Sequence, residues 1–306
     1  MSGKFAADKA DFPTSGPRVD VLGADPRPGS SKPDSILSVR GVSRSFGGLK
    51  AVDVEALEVQ RGVITAFIGP NGAGKTTFFN LLTGFDEADT GQWSFEGREL
   101  SNKASHLIAQ DGMVRTFQLT KSLGKMTVMD NMLLGAPNQL GERLSMSLLR
   151  GAWRKQEAAI RAKAEELLQR FNMVHMQDEY AATLSGGQRK LLEMARALMA
   201  DPALILLDEP MAGVNPALVQ SLLQHVEALR DDGVSVLFIE HDMDVIMGIS
   251  DWIVVLAEGQ IIAEGTPAQV SRNPVVIDAY LGTNTAAPAA DGAQTESDVA
   301  PGEGNS

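Results

Sequence analysis

Nine consecutive residues, Gly69, Pro70, Asn71, Gly72, Ala73, Gly74, Lys75, Thr76 and Thr77, set three glycines and a lysine–threonine pair at a spacing suited to phosphate. Glycines let the backbone curl so that successive N–H groups point inward at phosphate oxygens; Lys75 is placed to reach β- and γ-phosphates and the Thr76 hydroxyl to ligate Mg²⁺. A helix starting at Lys75 adds the positive end of its dipole. Further on, the apolar run 203–207 ends in Asp208 and Glu209. A carboxylate at the carboxyl end of a buried parallel strand stands where ligands of open α/β sheets bind. Asp208 suits Mg²⁺, held through water, and Glu209 can take the proton of an attacking water. A second anion site lies between them in sequence, where Ser185, Gly186, Gly187 and Gln188 follow Leu184 at the start of a helix. The chain thus has two phosphate sites, whereas one ATP has a single γ-phosphate.

These groups need elements to hold them. Segments 37–42 and 52–59 read as β-rich, and 63–68 as a strand feeding the glycine loop. A helix is expected from Lys75 to about Thr83, stopped by Gly84, with a returning strand at 93–95. The stretch from about 120 to 182 reads as helical. Within it Ile160, Ala164, Leu167, Leu168 and Phe171 share one helix face, and Glu157/Arg161 and Glu166/Arg170 offer four-residue charge pairs. A helix over 188–199 ends at Asp201-Pro202. Runs 203–207 and 234–239 read as buried parallel strands joined by a helix over 216–230, as a βαβ crossover requires. Strands at 252–256 and 260–263 and a short helix close the domain. Residues 1–35, with five of the fourteen prolines and five acids balanced by five bases, read as a flexible tail, as do the Ala/Pro/Gly/acid-rich residues 283–306.

Composition narrows the classes further. At 306 residues and 43% hydrophobic content there is room for a sizeable core. A balance of 27 basic against 39 acidic residues, net −12, argues against nucleic acid as a partner. With no cysteine, disulfides and thiolate metal sites are excluded and a reducing compartment is compatible. The longest apolar runs, such as 236–239 and 253–257, fall far short of the roughly 20 residues of a membrane span, and the first eight residues hold no apolar signal core. A membrane role would come through partners.

The glycine loop, the Leu184-Ser-Gly-Gly-Gln188 segment and the Asp208–Glu209 pair, in that order, together resemble an ATP-binding cassette (ABC) ATPase from about residue 36 to 282. The resemblance implies an α/β fold: a P-loop ABC nucleotide-binding domain with a RecA-like core, an antiparallel β subdomain and an inserted helical subdomain at roughly 120–182. It implies ATP and Mg²⁺ as cofactors, ATP hydrolysis coupled to transport, and two cassettes, with Ser185–Gln188 covering the ATP held by the other one. Gln118 matches the glutamine that senses Mg²⁺ and water and faces the membrane subunit. His241 matches the histidine that contacts the γ-phosphate. Phe46 matches the aromatic that stacks on adenine, with a buried core phenylalanine as the other reading. Gly213-Val-Asn215 departs from the Ser-Ala-Leu-Asp common in the family, which puts the usual aspartate contact between cassettes in doubt.

Arg115-Thr-Phe-Gln118, Met126-Thr-Val, Ala212-Gly-Val-Asn-Pro216, Glu240-His-Asp-Met-Asp-Val-Ile and the ending Ala279-Tyr-Leu-Gly282 are similar to the ATP-binding subunits of branched-chain amino-acid importers. That implies integral membrane permease subunits, a second ATPase subunit (a paralogue or a second copy) and, indirectly, a solute-binding protein as partners, with the chain peripheral on the cytoplasmic face of the membrane. Urea or amide importers and the lipopolysaccharide-export ATPase share part of these segments. A soluble DNA-repair ABC protein would need a long coiled coil for which 85–183 is too short, and a translation-type one would need two cassettes.

Overall fold

The computed structural model of the protein describes residues 23–116, 124–137 and 150–282. Gln118, part of the expected helical insertion and the expected tails at 1–22 and 283–306 lie outside the described residues.

Strand β1 (Ser35–Phe46) and β2 (Leu49–Gln60) form a long hairpin, and β3 (Ile64–Ile68) leads into the glycine loop and helix α1 (Lys75–Leu82). Strands β4 (Thr90–Phe95) and β5 (Arg98–Glu99), helix α2 (Ser105–Gln110) and strand β6 (Met113–Arg115) follow. Next come helices α3 (Val128–Leu134), α4 (Arg150–Arg170) and α5 (Gly186–Leu198). Strand β7 (Leu204–Asp208), helix α6 (Pro216–Asp231) and strand β8 (Ser235–Ile239) make the crossover. Helix α7 (Met243–Ile249), strands β9 (Trp252–Ala257) and β10 (Gln260–Gly265), and helices α8 (Pro267–Val270) and α9 (Pro274–Gly282) complete the chain.

Among the described residues, one sheet runs β2-β1-β4-β5, all antiparallel. The other runs β10-β9-β3-β8-β7-β6, parallel except for β10. Period-two alternation divides the buried strands of the second sheet between two cores. Leu204 and Leu206 of β7 face the antiparallel sheet and α1, joining Val39, Leu57, Phe67, Phe78 and Leu237. Ile205 and Leu207 face the other way, joining Leu168, Phe171, Met194, Val226 and Phe238. Ala164 and Leu168 of α4 and Phe171 just past its end are buried there, with Ile160 and Leu167 packed at the edge, as their spacing predicts.

Three expectations are corrected. Residues 23–34 do not hang free as part of a tail: the Lys32 ammonium lies 3.0 Å from Glu264, with both side chains wholly buried, and the Lys32 amide donates to Glu58. Their partners lie in β2 and β10, so no local pattern announces them. Arg161 pairs with Glu165 rather than Glu157. Arg170, at the end of α4, reaches Asp232 beyond α6 rather than Glu166, because the last turn of α4 abuts the core there.

The parallel strands carry their loops to one edge. The glycine loop follows β3, Asp208 ends β7, His241 stands just past β8 and Arg115 ends β6. A site at the carboxyl edge of the sheet follows from that topology.

Candidate nucleotide site

The glycine loop wraps the amino end of α1. Gly74 has φ 97°, and a Cβ there would stand 2.1 Å from the Ala51 carbonyl oxygen; one on Gly69 would stand 2.0 Å from that of Leu256. Only glycine fits either place. No side chain caps α1 and no acid sits in its first turn, so its opening N–H groups are left for an anion. The Lys75 ammonium folds back over the loop, donating to the carbonyls of Gly69 at 2.7 Å and Pro70 at 3.0 Å. Burial pushes its pKa down, against the upward pull of Glu209 and Asp208. A cleft of ≈ 230 Å³ is lined by the loop from Asn71 to Thr77 together with Ala51, Glu209 and His241.

Glu209 sits in the left-handed region, φ 47°, with its amide donating to Ile239 of β8. A carboxylate in that conformation is turned abruptly out of the strand. Its Oε1 lies 2.7 Å from His241 Nε2. Glu240, buried between them in sequence and space, accepts from the amides of Met211 at 2.8 Å and His241 at 3.2 Å. It therefore ties the loop after Glu209 to the loop bearing His241. Burial pushes the Glu240 carboxyl above the usual range.

Asp208 is 4% exposed. Arg115 Nη2 lies 2.6 Å from its Oδ2, while Oδ1 is buried with no hydrogen-bond partner. An orphaned buried carboxylate oxygen whose charge acts on the lysine of a phosphate loop fits a hard cation. Among the described residues no cluster of three or more acidic or histidine side chains could hold a metal ion alone. Asp208 and the Thr76 hydroxyl would thus hold Mg²⁺ together with phosphate and water oxygens, the ligand mix Mg²⁺ favours.

The remaining expected residues lie apart from this cleft. Ser185 caps α5: its hydroxyl accepts from the Gln188 amide at 3.3 Å and its own amide donates to Gln188 Oε1 at 2.8 Å. Ser185 and Gly186 are exposed, and none of Ser185–Gln188 lines the cleft of its own chain. Phe46 is 48% exposed at the β1–β2 turn, with the Arg44 guanidinium 4.8 Å from its ring centroid. It is not a core residue. Gln118 is not among the described residues.

Sequence reasoning missed three participants. Arg115 and Glu240 stood inside motifs noted for Gln118 and His241, yet their partners are set by the sheet. Tyr280 of α9 engages the Gly69 backbone, and burial pushes its hydroxyl pKa up against that hydrogen bond. The Ala279-Tyr-Leu-Gly282 ending was its only trace.

The ABC transporter family model matches residues 52–212, and that of the branched-chain amino acid ATP-binding cassette transporter matches residues 260–286. The chain is 46% identical over 247 residues to the probable branched-chain amino acid transport ATP-binding protein LivG of Archaeoglobus fulgidus, covering 81% of this chain and 95% of that one. It is 41% identical over 249 residues to the high-affinity branched-chain amino acid transport ATP-binding protein BraF of Pseudomonas aeruginosa, covering 81% and 98%. Among solved structures, a nucleotide-free ATP-binding cassette from an ABC transporter superposes with a TM-score of 0.71 at 39% identity, covering 80% of this chain and 98% of that one. A cassette in its ADP conformation gives 0.70 at 38%, covering 81% and 99%.

Proposed function

Because this chain belongs to the ATP-binding cassette transporter family, as an ATP-binding protein of the branched-chain amino acid type, we infer that it is the ATP-hydrolysing motor of an importer for those amino acids. The observation that carries the catalytic reading is the 2.7 Å contact between Glu209 and His241 at the wall of a cleft made by the glycine loop.

In this reading the loop amides from Gly69 to Thr77 and the first turn of α1 bind the β- and γ-phosphates, and Lys75 exchanges its loop carbonyls for phosphate oxygens. Thr76 and, through water, Asp208 would hold Mg²⁺, which would supply charge neutralisation on the phosphates. Glu209 orients the attacking water and takes its proton. His241 contacts the γ-phosphate and holds Glu209, and Glu240 keeps both on a common frame. Phe46 stacks on the adenine. The Ser185–Gln188 cap, exposed at Ser185 and Gly186 and lining no part of its own cleft, covers the ATP of a second cassette, whether a paralogue or another copy. Gln118 senses cation and water beside the permease.

No described helix is long and apolar enough to cross a membrane. In this reading the chain acts through integral membrane permease subunits, at the cytoplasmic face, and meets the solute only indirectly by way of a solute-binding protein. Nucleic acid has no part.

Glu209→Gln tests the catalytic reading. Steady-state ATP hydrolysis should fall by about 10²–10⁴-fold, the usual contribution of a positioned base, while equilibrium nucleotide binding stays intact. Hydrolysis near the wild-type rate would refute the assignment.

A further inference from the structure

Among the charged groups around the cleft, Arg115 has no part in the reading above, and its surroundings are specific. Its Nη1 donates to Asn80 Oδ1 and its Nη2 to Asp208 Oδ2, each at 2.6 Å, with the guanidinium carbon 5.9 Å from the centroid of the Phe79 ring. The Arg115 side chain is 9% exposed and that of Asp208 3%. Asn80 stands four residues after Thr76 on α1, so the two share a helix face. The backbone fixes the other end: Arg115 is in parallel register with Leu206, and the Thr116 amide donates to the Leu206 carbonyl at 3.0 Å.

A buried ion pair is weak evidence for stability, since apolar residues of similar volume often serve as well. Here the pair leaves a telling remainder. Oδ2 of Asp208 is pinned while Oδ1 is buried and bare, in a carboxylate close enough to Lys75 for its charge to act on that ammonium. A bare buried carboxylate oxygen is costly unless something pays in compensating charge. The guanidinium supplies that compensation from behind and, gripped by Asn80, prevents the carboxylate from turning.

We propose that Arg115 is a positioning residue for the cation that accompanies the nucleotide: bridging Asn80 and Asp208, it holds Asp208 so that Oδ1 stays directed at Mg²⁺. The proposal rests on the reading of Asp208 as the cation's ligand. A partner behind a metal ligand orients it, and its loss costs about 10–100-fold in metal affinity or activity. Lysine is no equivalent, because its compact ammonium lacks the planar fork whose two arms meet Asn80 and Asp208 in fixed directions.

The test separates cation from nucleotide. A fluorescent ATP analogue is titrated into the purified full chain with excess Mg²⁺ and, separately, with EDTA. Mn²⁺ binding to the nucleotide complex is followed by electron paramagnetic resonance. Arg115→Met and Arg115→Lys should keep the affinity seen in EDTA, lose the increment given by Mg²⁺, and bind Mn²⁺ about 10–100-fold more weakly. Asn80→Ala, which frees the guanidinium's other arm, should weaken Mn²⁺ in the same sense, and it carries the test if Arg115→Met does not fold. Equal loss with and without Mg²⁺ would mark a merely structural role and overturn the proposal. Asp208→Asn tells the two readings apart. If it keeps the Mg²⁺ increment, the site reading falls. If it loses that increment while the Arg115 variants keep it, the proposal about Arg115 falls alone.

Discussion

Lys32→Met should destabilise the whole domain without touching its chemistry. The Lys32 ammonium lies 3.0 Å from Glu264 Oε2, 3.0 Å from the Ser30 hydroxyl and 4.3 Å from the centroid of the Trp252 ring. Both charged side chains are fully excluded from solvent. Methionine fills much of the same volume but leaves the Glu264 carboxylate buried with neutral donors only, the Trp252 indole at 2.9 Å, the Ser30 amide at 3.2 Å and the Ser30 hydroxyl at 3.4 Å. Breaking a buried pair by removing one partner costs about 3–5 kcal/mol, and these surviving donors set the expectation near the lower end, about 3 kcal/mol. For a domain of this size each kcal/mol moves the midpoint by about 2–4 °C, so Tm should fall by about 6–12 °C. Lys32→Met with Glu264→Gln removes both charges, and its loss should shrink to about 1 kcal/mol. Urea unfolding of the two single variants and the double variant closes the cycle and yields the coupling energy. ATP hydrolysis per folded molecule should hold throughout. A Lys32→Met variant within about 0.5 kcal/mol of wild type, the range of an ordinary surface change, would refute the reasoning and return residues 23–34 to a free tail.

Phe46→Ala should weaken nucleotide affinity by about 1–3 kcal/mol, the range for stacking on a base, with little change in stability because the ring is half exposed; unchanged affinity by fluorescence titration would remove Phe46 from the adenine site. His225 of α6 stacks on Phe171 at 4.3 Å, and burial, aided by the Arg170 charge, lowers its pKa from 6.5 to about 4. The unfolded chain therefore binds this proton between pH 6.5 and 4 and the folded one does not, so stability falls as pH drops through that window, by up to about 3 kcal/mol in total. The difference in urea midpoint between wild type and His225→Gln should shift across this window and stay flat above it; a pH-independent difference would contradict the assignment.

Much of the site was legible because its signals are local. Glycine spacing in 69–74 follows an apolar strand and precedes a helix, and each of those parts is required by the others. Asp208 and Glu209 were found because a fully apolar run ends on them. What the sequence hid depends on distance along the chain. Arg115 meets an aspartate 93 residues away, and β6, only three residues long, has no periodicity to display. Helix α7 is capped by Asp242, which accepts from the amides of Asp244 and Val245, but its seven residues are too few for a helical stripe. The Arg170 pair on α4 went wrong for the same reason: spacing within a helix says nothing of Asp232 arriving from beyond α6.

The helical layer has ion pairs and a ring stack to the core toward one end. Lys163 meets Asp201 just past α5, Arg170 meets Asp232, and Phe171 stacks on His225, all toward the amino-terminal edge of the parallel strands. Ser185 lies at the opposite end of α5, thirteen residues or ~20 Å away. Ser185 is held there by its buried neighbours: Leu184 belongs to the same core, and a Cβ on Gly187 would stand 1.8 Å from the Leu218 side chain of α6. The exposed hydroxyl is therefore carried by the packed layer rather than by a free loop, and it travels only as far as that layer does.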